Sequence, residues 1–73
     1  MTWTLVIVFT VGAEWYQTKG PLPPDQCLAI VREARVGNLP VIEDVSGEAV
    51  IVTVACVSPA GEEARVVVGE AAL

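Results

Sequence analysis

The chain has no histidine, only two cysteines and only four Lys and Arg among 73 residues. Each shortage excludes a class of function. Without imidazole, and with Cys27 and Cys56 well apart in sequence, one chain lacks the ligand set of a structural zinc site. A nucleophilic cysteine would also have no histidine beside it to lower its pKa. Four bases against nine acids give a net charge of −5, so the clustered positive charge that holds a phosphate backbone is missing. A nucleic-acid partner is therefore not expected. The acids sit singly or in pairs along an apolar chain, too sparsely for a DNA mimic. No apolar run reaches the roughly 20 residues of a membrane-spanning helix, so no membrane partner is expected.

One apolar stretch at the N-terminus still needs a decision. Residues 2–13 end in Val11-Gly12-Ala13, much as a signal-peptide core ends at its cleavage site. No Lys or Arg precedes Lys19, so the charged leader of an export signal is missing. The stretch reads first as a buried strand, with an export signal or a membrane stub as the alternative.

What is present is apolar side chain. Hydrophobic residues make up 53% of the sequence, and the mean hydropathy is +0.60. A chain of this size forms one small domain and buries only roughly 60% of its unfolded surface. Such domains usually add a disulfide, a metal or a partner chain. Apolar surface beyond what one small core hides marks a contact site. Self-association or a protein partner is the first expectation.

The chain is organised around two runs, residues 49–57 (AVIVTVACV) and 1–11 (MTWTLVIVFTV). Both are rich in β-branched side chains and read as strands. In the first, Trp3, Leu5, Ile7, Phe9 and Val11 share one face, all large. Thr2, Thr4, Val6, Val8 and Thr10 share the other, which is only half polar. Residues 13–24 read as a connector, stiffened by Gly20-Pro21-Leu22-Pro23-Pro24. A short strand over 14–18 is the weaker alternative. A helix follows from Pro24 or Asp25 to about Val36, with Cys27, Ile30, Val31 and Ala34 on one stripe. Gly37 and Asn38 stop it. Val41-Ile42 offers a short pairing, and Ser46-Gly47 a turn between Glu43, Asp44 and Glu48. In 49–57, Val50, Val52, Val54 and Cys56 face the helix, while Ala49, Ile51, Thr53, Ala55 and Val57 face away. Residues 64–69 form a last strand behind the Ser58–Gly61 turn, and 70–73 a frayed tail. The predicted fold is a single α+β domain over 1–73. It has two layers, with one helix on a three- to four-stranded mixed β-sheet in the order β-α-β-β.

That order makes the first strand and 49–57 parallel, joined by a right-handed crossover. Cys27 in the first helical turn and Cys56 at its strand's end then lie at the same end of the domain. They can meet within the roughly 5–6 Å Cα separation of a disulfide. Two packed thiols are the alternative. If 14–18 were a strand, the helix would run the other way, and Cys27 would be expected far from Cys56.

Candidate chemistry is sparse. Glu43-Asp44 with Glu48, and Glu62-Glu63, read as solvated turn charges. Neighbouring carboxylates on extended chain point apart, and the spacing of a calcium loop is missing. The proline-rich segment lacks the free N–H groups of a phosphate cradle. One constellation could hold a planar anionic or nucleotide-like ligand by stacking and charge: Trp15, Tyr16, Lys19, Arg32, Arg35 and Arg65. The competing reading places the aromatics at a core edge or subunit interface. No catalytic residue, metal or cofactor is assigned. The apolar second face, Val6, Val8, Ile51, Thr53, Ala55, Val57 and Val67, is the candidate interface. A second copy packing face to face covers it most simply, with edge-strand pairing second.

The strand from Met1, Gly20-Pro21 ahead of a helix carrying Cys27, and a strand ending Ala55-Cys56-Val57-Ser58-Pro59 together resemble the small uncharacterised β-α-β proteins encoded by tailed phages and prophages. The likeness covers most of the chain, through short motifs, and departs from the group after Pro59. It implies a phage accessory protein in the cytoplasm of a bacterial host, one that binds and inhibits a host or defence protein. It transfers no catalytic residues. The expected function is thus a non-enzymatic homo-oligomeric interaction protein. The alternative is an oligomeric sponge for a small anionic or nucleotide-like ligand.

Overall fold

The computed structural model describes residues 1–42 and 48–68. Glu43, Asp44, the Ser46-Gly47 turn, Gly69 and the 70–73 tail lie outside the described residues. The elements are β1 (Trp3–Val11), β2 (Ala13–Leu22), α1 (Pro24–Arg35), β3 (Val50–Val57) and β4 (Glu63–Val67). The strands form one sheet in the order β2-β1-β3-β4, and every neighbouring pair is antiparallel. Among the described residues the protein is a small α+β domain with one helix and a four-stranded antiparallel sheet.

Two expectations are corrected here. The element order is β-β-α-β-β, not β-α-β-β, and the sheet is not mixed. The cause is β2, where an irregular connector was expected. Gly12, at φ 76°, reverses the chain directly after β1, at an angle that costs glycine little. Trp15, Tyr16 and Thr18 have strand-forming side chains, and β2 pairs along β1 from Val11↔Ala13 to Trp3↔Leu22. The Gly-Pro step does not break the strand. Between Trp3↔Leu22 and Leu5↔Lys19 the register slips, so Gly20 and Pro21 occupy a bulge. Because β2 is an edge strand, the missing N–H of Pro21 is tolerated.

The helix follows its sequence signals. Pro24 opens it, Asp25 lies in the first turn, and Arg32 and Arg35 lie in the last, each charge favourable to the helix dipole. The Gly37 and Asn38 N–H groups donate to Ala34 O at 3.1 Å and Glu33 O at 2.9 Å and close the C-terminus. Cys27, Val31 and Ala34 are the buried residues of α1. They cluster with Leu5, Ile7, Phe9, Ile51, Val54 and Cys56. The expected large face of β1 is therefore the core face.

Ile51 is a correction. Its expected outward position follows from simple alternation through β3. The register slips opposite Val8 and Phe9, and Ile51 pairs with Phe9. The extra residue reverses parity upstream, so Ile51 is only 9% exposed in the core, while Val50 is 59% exposed.

Cys27 and Cys56 lie at disulfide distance, with Sγ atoms 2.10 Å and Cα atoms 5.9 Å apart. The expectation that a β1–β2 hairpin would separate them is also corrected. The hairpin reverses the helix, but it reverses β3 as well. The helix start and the β3 end therefore remain at one end of the domain.

Candidate interaction surface

The core-side residues of the sheet leave the opposite parity of each strand to form a second face. Residues paired directly across antiparallel strands share a face, which gives its rows. One row runs Thr18, Val6, Ala55, Arg65; the next runs Tyr16, Val8, Thr53, Val67. Thr4, Val57 and Glu63 continue the face toward one end, and Glu14, Thr10 and Val50 toward the other. Val6, Val8, Thr10, Thr53 and Val57 are half-buried and Ala55 is buried, whereas Tyr16 and Val67 are exposed. No charged side chain stands on β1 or β3 in this face. Glu14, Glu63 and Arg65 sit on the two outer strands. Arg65 Nε lies 4.0 Å from Glu63 Oε1, with both side chains exposed, a geometry that contributes well under about 1 kcal/mol.

Of the predicted interface residues, Val6, Val8, Thr53, Ala55, Val57 and Val67 share this face, and Ile51 does not. Thr10, Tyr16, Thr18 and Val50 also belong to it. Tyr16 and Thr18 follow from alternation once 13–22 is taken as a strand. Val50 follows only from the bulge, which no sequence signal marks.

The predicted ligand constellation is not brought together within one chain. Trp15 and Lys19 pair with Phe9 and Leu5 on the core-side face, while Tyr16 pairs with Val8 on the other. Arg65 is on β4, at the edge of the sheet away from β2, and Arg32 and Arg35 are exposed on α1. Lys19 Nζ donates to Val41 O at 3.0 Å and so fastens the segment after the helix to β2. Val41-Ile42 forms no strand.

An open hollow of about 580 Å³ is lined by Leu39, Pro40, Ile42, Ala49, Val50, Ile51 and Val68, none of which carries a side chain that transfers a proton. Among the described residues, no three His, Cys, Asp or Glu side chains group as a metal site, and no helix is long and apolar enough to cross a membrane.

The class defined by these observations is a small disulfide-distance α+β domain with an uncharged central sheet face. Comparison with protein-family models, with curated proteins and with solved structures finds no match.

Proposed function

We propose that the chain is a non-enzymatic interaction protein, a two-layer domain that works as a homo-oligomer through the open face of its sheet. The observation that carries this reading is the pair of central rows around Val6, Val8, Thr53 and Ala55. They hold no charge on β1 or β3, while the opposite parity of the same strands forms the core. Apolar sheet surface of this kind is stabilised by a covering partner, and a second copy offers the same surface through a two-fold axis. A host or defence protein as the eventual target, with inhibition as the outcome, is the narrower part of the proposal.

Light scattering tests the first part. The wild-type protein is expected at a multiple of its 7.7 kDa chain mass. Val8→Asp is expected to return it to monomer mass with an unchanged far-UV circular dichroism spectrum. A wild-type monomer at high concentration would refute the reading. For the narrower part, tagged protein incubated with bacterial lysate should retain one host protein in stoichiometric amount, and Val8→Asp should not.

A further inference from the structure

The helix is held on the sheet by little besides one covalent bond. Cys27, Val31 and Ala34 are the buried residues of α1, and two of them are among the smallest apolar side chains. Leu28 and Ile30 pack against the core only in part. A helix of 12 residues is marginal in water by itself, so α1 keeps its order by docking. Its start has Pro23 at the N-cap position and no side-chain cap. The first turn therefore lacks the hydrogen bond that a serine, threonine or aspartate there would supply. The Cys27–Cys56 bond lies at that turn. Beyond the other end, Lys19 Nζ donates to Val41 O at 3.0 Å, which ties the chain after α1 to β2. The sheet is held differently, because β1 is paired along both of its sides. Helix and sheet are thus two units of unequal strength, joined at Cys27 and Cys56.

We propose that the Cys27–Cys56 bond is a redox-controlled latch. Closed, it holds the start of α1 on β3. Opened by a dithiol reductant, it lets α1 lift from the sheet while the strands stay paired. Both cysteines are fully buried, so an attacking thiolate reaches a sulfur only as the first turn of α1 moves away. One thiolate of the reductant attacks a cysteine sulfur, breaks the bond and forms a mixed disulfide. The second thiolate of the reductant then displaces that sulfur and closes the reductant's own disulfide. Two electrons pass to the chain, and the two protons of the reductant leave Cys27 and Cys56 as thiols. The latch uncovers the core face of Leu5, Ile7, Phe9 and Val54, which cluster with Val31 and Ala34. A closed domain becomes one that exposes a second apolar sheet face, on the side away from Val6 and Val8. This device does not depend on whether the open face binds a second copy.

Native-state amide hydrogen exchange over a urea series, on oxidised and dithiothreitol-reduced wild-type protein, tests this. In the oxidised protein the amides of residues 28–35 are expected to exchange in step with those of β1 and β3, and with the same urea dependence, through whole-domain unfolding. After reduction they are expected to exchange about tenfold or more faster than the strand amides and with little urea dependence, the mark of a local opening. Cys27→Ala/Cys56→Ala should show the same split with no reductant present, which separates loss of the bond from any effect of the reagent. Helix and strand amides that keep one rate and one urea slope after reduction would overturn the latch, because the bond then only adds to the stability of the whole domain. Loss of the sheet's circular dichroism on reduction would overturn it too. So would a helix that already opens locally in the oxidised protein, since the bond then controls nothing.

Discussion

The Sγ atoms of Cys27 and Cys56, 29 residues apart in sequence, lie 2.10 Å from each other. They tie the first turn of α1 to the C-terminal end of β3. Both residues are fully buried. In the chain-entropy account, closing a loop of this length stabilises the fold by about 3–4 kcal/mol. That is a large share for a domain whose total is of order 4–11 kcal/mol. Cys27→Ala/Cys56→Ala should therefore lower the unfolding free energy by at least about 3 kcal/mol in urea titration, and wild type denatured without reductant should show no free thiol. Two titratable thiols in that assay would contradict the bond.

Gly20 is the second sensitive point. Its φ is 144°, and an added Cβ would meet Trp3 O at 3.1 Å. Both the backbone angle and the approach to β1 disfavour any side chain. Gly20→Ala is expected to cost about 1–3 kcal/mol, read as a lower urea midpoint at unchanged slope. A midpoint equal to wild type would show that the bulge relaxes freely.

Ser58 holds the turn between β3 and β4. It is 5% exposed, and its Oγ accepts hydrogen bonds from Glu62 N at 2.9 Å and Ala60 N at 3.2 Å. Ser58→Ala leaves those amides without their side-chain acceptor, and a loss of about 1–2 kcal/mol is expected. Thermal unfolding of Ser58→Ala beside Ser58→Thr checks it, because only the second keeps the oxygen. Equal melting temperatures for both variants would count against the role.

Trp3 gives the opposite expectation. Its Nε1 is buried and has no hydrogen-bond partner among the described residues, an arrangement that costs about 1–3 kcal/mol. Trp3→Phe removes that donor along with part of the ring. The two effects oppose each other, so stability should stay within about 1 kcal/mol of wild type. A larger loss would mean that the indole N–H is satisfied.

The strands and helix that carry the core were legible because each has its own periodicity. Leu5, Ile7 and Phe9 alternate, and Cys27, Val31 and Ala34 recur at helical spacing. Most of the open face was legible for the same reason. Residues 13–22 were not, because the proline cluster and the exposed Trp15 and Tyr16 obscure a strand that is held mainly by its partner. A β2 stretch with that composition gains its order from pairing with β1, a non-local contact. The ligand constellation failed on the same point: strand alternation sends Trp15 and Tyr16 to opposite faces, and α1 carries its arginines elsewhere.

The sequence by itself determined which side chains are apolar, where the helix starts and stops, and which face of β1 is core. Those follow from local propensity and spacing. Only the tertiary structure decided that β1 and β3 are antiparallel, that a bulge turns Ile51 inward, and that residues 13–22 become the outer strand beside β1. Each depends on strand pairing across distant sequence, where one reversal or one inserted residue changes direction or parity. The meeting of Cys27 and Cys56 survives that reversal, because it depends only on α1 and β3 running in opposite directions.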